Sequence, residues 1–107
     1  MKQIDSWQLS PRVQIARGSL VRFRGGGPEY KGQRLTLPGT FQVRKVLARG
    51  KRVWLEVFGL NKTGGTYTVF VQGRAYEREG MMIRPYNVSR MKGTNDRQTQ
   101  RPKPQKT

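Results

Sequence analysis

The side chains of this chain that could do chemistry are nearly all cationic. Its 107 residues hold 22 Lys and Arg against 6 Asp and Glu, with no His and no Cys, for a net charge of +16. Without Cys there is no thiolate zinc site and no disulfide, and without His the commonest acid–base and metal-binding group is gone. The carboxylates are Asp5, Glu29, Glu56, Glu77, Glu79 and Asp96. Glu77 and Glu79 have the spacing that puts two carboxylates on one strand face, where they could hold a hard cation. Arg78 between them and Arg74 nearby read instead as local charge balance. The expectation is a protein that is not an enzyme and takes no metal or cofactor.

The cations themselves are informative. Arginine outnumbers lysine 14 to 8, which favours planar, bidentate contact with phosphate or base edges. Self-repulsion at this charge opposes a compact state, so a polyanionic partner is the expected counterweight.

Aromatics are interleaved with the cations in one stretch, Phe41 to Phe58 (FQVRKVLARGKRVWLEVF). It reads as two strands joined by a basic tip, Arg49-Gly50-Lys51-Arg52. In the second strand Val53, Leu55 and Val57 alternate with Trp54, Glu56 and Phe58, so the aliphatics face a core and the aromatics face away. Stacking of bases on such aromatics is worth about 1–3 kcal/mol each. Arg44, Lys45, Arg49, Lys51 and Arg52 stand beside Trp54 and Phe58 to hold phosphates. Arg22 and Arg24 from an earlier strand, with Lys31, Arg34 and Lys62 from loops, complete the candidate nucleic-acid-binding set. The opposite reading of Trp54, Phe58 and Phe70 is a second small core, covered by the segment around Trp7 or by the last turn.

The elements that must position these residues are short. Residues 1–17 are a lead-in, in which Ser6 to Leu9 have room for one helical turn before Pro11, and Val13 and Ile15 alternate like a strand. Gly18 to Arg24 reads as a strand with Val21 and Phe23 on one face and Arg22 and Arg24 on the other. Gly25-Gly26-Gly27-Pro28 ends it. This glycine run lacks both the Gly-Lys-Ser/Thr and the helix of a phosphate-cradling loop, so it reads as a flexible or tightly turned connection. Lys31 and Arg34 follow in a loop able to close over a polyanion. Within the hairpin the pattern loosens at Val46-Leu47-Ala48, which predicts a bulge or bend near the tip.

Thr66 to Gln72 is a further strand, with Tyr67, Val69 and Val71 opposite Thr68 and Phe70. Gly73 to Gly80 is a charged loop or strand extension, Met81 to Arg84 a short last strand, and Tyr86 to Met91 a tight turn or closing strand. No helical periodicity lasts beyond a turn or two. About five strands punctuated by glycine argue an all-β fold, and at this size a small, partly open barrel that leaves few unpaired edges.

From Lys92 the composition changes. KGTNDRQTQRPKPQKT carries five cations, one acid and no apolar side chain larger than Pro, which predicts a disordered basic tail over 92–107. Residues 1–91 still keep +12 of the +16, so the expected barrel over 18–91 is itself basic. No run of about 18 apolar residues is present, and the first residues lack a secretory h-region. The expected setting is the cytoplasm or another compartment holding nucleic acid, with no membrane association.

Residues 18–62 resemble the KOW-type SH3-like barrels of ribosomal and transcription-elongation proteins. The matching features are the strand Gly18-Ser19-Leu20-Val21-Arg22-Phe23, the pair Lys31-Gly32, the later Gly39, the strand Phe41-Gln42-Val43 and the segment Glu56-Val57-Phe58-Gly59-Leu60-Asn61-Lys62. The chain departs from that pattern in the six residues, Gln33 to Pro38, that separate Lys31-Gly32 from Gly39. The resemblance implies a small bent barrel that binds RNA or DNA through loops and a basic face.

The function expected is therefore RNA or DNA binding through the phosphate backbone, with low sequence specificity. The alternative is a small adaptor or structural subunit inside a nucleoprotein complex, with other proteins as partners.

Overall fold

The computed structural model describes residues 1–60 and 64–91, and these are all-β. In chain order the strands are β1 (Lys2–Ile4), β2 (Ser6–Ser10), β3 (Val13–Ala16), β4 (Leu20–Arg24), β5 (Gly27–Tyr30) and β6 (Gln33–Arg34). They continue with β7 (Phe41–Arg49), β8 (Arg52–Gly59), β9 (Thr66–Gln72), β10 (Tyr76–Arg78), β11 (Met81–Arg84) and β12 (Asn87–Arg90). Among the described residues no helix is long and apolar enough to cross a membrane. Lys62 and the tail over 92–107 lie outside the described residues.

A six-stranded antiparallel sheet dominates, in the order β12-β4-β7-β8-β9, with β1 pairing the far half of β7. Its centre is the β7–β8 hairpin. Gly50 turns it with φ 61 at the first of the two loop positions, where a tight hairpin favours glycine. The alternation read in β8 holds in space: Val53, Leu55 and Val57 are buried, while Arg52, Trp54, Glu56 and Phe58 are half-exposed. Val21, Phe41, Val43, Val46 and Val69 join the same core, and Phe23 packs against it at 5.4 Å from Phe41. The bulge falls earlier than the loosened pattern predicted. It lies between Val43 and Lys45 and makes Arg44 the extra residue, so Val46 returns to the core. The repeated apolar run Val46-Leu47-Ala48 hid a register shift that a charged residue, free to point outward, absorbs.

Residues 1–17 are built into this body. Ser6 to Ser10 is strand β2 and not a helical turn; it forms a two-stranded sheet with β3 around the turn at Pro11 and Arg12. The reason is burial. A strand sends Trp7 inward opposite Ile15, both in the core, and the Trp7 Nε1 donates to Gln72 Oε1 at 2.8 Å. One isolated helical turn offers no comparable contact.

The remaining strands form a four-stranded sheet, β10-β11-β5-β6. The glycine run is a tight turn: Gly25, Gly26 and Gly27 all have positive φ. At Gly26 a Cβ would run into the Pro85 carbonyl, so the close approach of two backbones excludes any side chain there. Gly73 to Gly80, expected as a charged loop or strand extension, contains β10, and Tyr86 to Met91 contains the closing strand β12. Among the described residues twelve strands replace the five or so expected, because the lead-in and the loops form strands of their own. The sheet path is open between β9 and β12, so hydrogen bonds do not close it into a barrel.

Candidate nucleic-acid interface

Strand register decides which cations share a surface, since directly opposed residues project to the same side. Leu20 lies opposite Gln42, so Leu20, Arg22 and Arg24 project to the side that Gln42 shares with Phe58. Lys45 opposes Glu56, Leu47 opposes Trp54 and Arg49 opposes Arg52. On β12, Ser89 and Asn87 flank Arg22 and Arg24. The outer face of the large sheet thus gathers Arg22, Arg24, Arg44, Lys45, Arg49 and Arg52 around Trp54 and Phe58, with Glu56 as its acid. At about 3.3 Å per residue these cations extend over roughly 25 Å.

They have few internal partners. Among the described residues the ion pairs are Arg84–Glu29 at 2.7 Å and Arg34–Glu29 at 3.9 Å, both in the four-stranded sheet. Arg44 lies over the Phe58 ring, 5.1 Å from its centroid. Arg52, paired with Arg49, lies over the Tyr76 ring at 4.8 Å, and its Nε donates to the Arg74 carbonyl at 3.3 Å. Arg22, Arg24, Lys45, Arg49 and Lys51 are exposed. Lys45 forms no ion pair with the facing Glu56.

The aromatics divide. Phe70 is only 3% exposed, held between Trp54 at 5.4 Å and Tyr76 at 5.2 Å. This is a second small core, and its cover is Tyr76 of β10, whereas Trp7 belongs to the main core. Trp54 and Phe58 stay half-exposed. Phe58 carries its guanidinium already, so a base reaching that ring must displace Arg44 or stack on the guanidinium itself.

Two sequence-predicted residues stand apart from this face. Lys31 is in the β5–β6 turn with φ 52, its ammonium 5.3 Å from the Tyr30 ring, and Arg34 is on β6. Sequence reasoning missed Tyr76, whose ring, the one large apolar side chain in the charged run GRAYEREG, was the available signal. It also missed Asn87 and Ser89, although the alternation Asn87-Val88-Ser89-Arg90 has the period of a strand. Glu77 is on β10, and Glu79 occupies the following turn in left-handed backbone, φ 51. Burial pushes the Tyr86 phenol above its ordinary range, and its hydroxyl donates to the Leu35 carbonyl at 2.7 Å.

No family model matches the chain, and no curated protein or solved structure matches it either.

Proposed function

We propose that this protein binds RNA or DNA through the phosphate backbone, using the outer face of the six-stranded sheet. The observation that carries this reading is the set of cations there without carboxylate partners. Six come from three strands, and the ion pairs of the described residues lie elsewhere. Such a face meets a strand of phosphates with little rearrangement, and contacts of this kind carry no sequence information. Arg44 on Phe58 and the open edge of Trp54 add a planar surface for bases, so single strands gain more than duplexes.

The finer fold reading that accompanies this proposal is the KOW-like, partly open SH3-like barrel. Its support is connectivity: β4, β7, β8 and β9 are successive neighbours, and β12 returns to the free side of β4. A meander with a returning strand is how a five-stranded sheet curls into a small barrel. The Lys31-Gly32 turn and the first of the inserted residues, 33–34, belong to the β5–β6 hairpin, which comes between the first two of those strands in the chain.

The test is binding of single- and double-stranded RNA and DNA across a salt series. The expected log–log slope is about −0.7 to −0.9 per phosphate neutralised. Absence of binding to all four in dilute buffer overturns the proposal. A second reading, the adaptor inside a nucleoprotein complex, is favoured by an open, mainly apolar cleft of about 440 Å³ lined by Leu35, Trp54, Tyr67, Tyr76 and Ile83. A protein partner that survives nuclease treatment in a pull-down supports it.

A further inference from the structure

Beside the basic face, where β4 ends, lies a smaller cleft of about 240 Å³. Its lining mixes three kinds of group. Phe23, Leu37 and Tyr86 give it apolar and aromatic walls, and the exposed Arg24 and Arg34 stand at its margin. Thr36, between Leu35 and Leu37, completes the wall, and the backbone N–H and C=O of Thr36 and Leu37 have no hydrogen-bond partner among the described residues. Unpartnered backbone polar groups on residues that line a cleft are available donors and acceptors for a ligand edge.

The cleft is held in shape before any ligand arrives. Leu35 is tied at both backbone groups, its N–H to the Pro28 carbonyl at 3.0 Å and its carbonyl to the Tyr86 hydroxyl at 2.7 Å. The Gly25–Gly26 turn that forms another wall is locked against Pro85 and Tyr86. Arg34 is only loosely engaged by Glu29, at 3.9 Å, because Arg84 occupies the same carboxylate oxygen at 2.7 Å.

We infer that this cleft takes one nucleotide, with its base between the apolar walls and its phosphate on Arg24 and Arg34. The inference rests on the nucleic-acid reading above and adds a ligand class and a place. The volume is below the roughly 300–1,000 Å³ of sites for drug-sized ligands, which suits a single heterocycle. Apolar walls accept its faces, and the free backbone groups of Thr36 and Leu37 meet its polar edge. Arg24 is shared with the outer face, so a bound strand reaches the cleft by turning one base out of its stack.

The full chain, labelled with nitrogen-15, is titrated with AMP, GMP, CMP and UMP, with ribose 5-phosphate as the base-free control. The expected result is saturable movement of the Gly25, Gly26, Thr36 and Leu37 amide signals with at least one nucleotide, and none at Thr36 or Leu37 with ribose 5-phosphate. Arg24→Gln with Arg34→Gln, both exposed, should weaken that nucleotide at least tenfold while the spectrum stays folded. Equal movement with ribose 5-phosphate, or no movement with any nucleotide, overturns the inference. If oligonucleotides then still bind with a steep salt dependence, the cleft alone is lost; if they do not bind, the interface is lost with it.

Discussion

In the four-stranded sheet, Glu29 receives Arg84 at 2.7 Å and Arg34 at 3.9 Å, and Glu77 lies two strands away on β10. On the outer face of the six-stranded sheet, Glu56 faces Arg22, Arg24, Arg44, Lys45, Arg49 and Arg52, and none of these reaches it in an ion pair. Both regions are rich in arginine. In the first, two arginines share a carboxylate inside the fold, and in the second the cations have no ion pair among the described residues. Net charge alone would not separate them, because +16 is a property of the whole chain. Strand register does, by showing which cations share a surface and which share an acid.

The largest expected effect is on affinity. Changing Arg22, Arg24, Arg44 and Lys45 together to Gln should lower affinity for single-stranded RNA or DNA by 100-fold or more near 0.1 M salt. At 0.7–0.9 per phosphate contact, the salt slope should fall by about 3. Changing Arg78 and Arg84 to Gln in the other sheet, half as many charges, should alter affinity less than threefold. Equal losses from the two sets would erase the distinction between the sheets. The tip makes an intermediate case: Arg49, Lys51 and Arg52 changed to Ala should lower both affinity and slope, though Arg52 is partly occupied by Tyr76.

Trp54→Ala comes next and sharpens the contrast from the aromatic side. The ring is half-buried against Phe70, so its loss should cost about 1–3 kcal/mol in urea unfolding, below the 3–5 of a fully buried Trp. Single strands should lose more affinity than duplexes once binding is measured well below the unfolding midpoint. A variant that keeps full stability would mean that Trp54 is a bare platform and that Phe70 is covered by Tyr76 alone.

Much of this arrangement was legible in the residues. The two faces of β8, and the division of Val21 and Phe23 from Arg22 and Arg24, followed from period-two alternation, which survives wherever one side of a strand is buried. The hairpin tip was legible because Gly50 and the charges around it leave few conformations. The lead-in was not. Ser6 to Ser10 does alternate polar and apolar residues, but over so few positions that one helical turn fits as well, and what decides it is Trp7 finding Ile15 and Gln72, the latter 65 residues away. Long-range pairing of that kind leaves no local trace. The same holds for the cleft between β4 and the 35–38 segment, which exists because Pro85 and Tyr86 pack onto glycines about sixty residues earlier in the chain.

Tyr86 offers a smaller effect with a pH signature. Tyr86→Phe removes the hydrogen bond to the Leu35 carbonyl and should cost about 1 kcal/mol at neutral pH. Because burial raises the phenol's pKa in the folded state, its contribution is complete below about pH 10, where the unfolded chain's tyrosine is protonated. The contribution is then lost as pH climbs through the folded value. Wild type minus variant stability, followed by urea unfolding from pH 7 to 11, should therefore shrink with rising pH. A difference that stays constant would show that the phenol is not held protonated by the fold.

The smallest effect tests the other half of the comparison. Arg84 and Glu29 are joined at 2.7 Å but keep 47% and 26% of their side chains exposed. Water and salt screen such a pair, and fixing two long side chains costs entropy, so a double-mutant cycle with Arg84→Gln and Glu29→Gln should return about 0.2–1 kcal/mol. The coupling should fall further in 0.5 M salt, where the screening length is only a few ångströms. That outcome fits a sheet held by its hydrogen-bonded ladder and by Tyr76 against Phe70, with its charges not structural. A coupling above 2 kcal/mol would instead make the Glu29 cluster the clamp that fixes β5 and β11. The loose 3.9 Å contact of Arg34 would then be part of that clamp, and Arg34 would no longer be free to meet a phosphate in the neighbouring cleft.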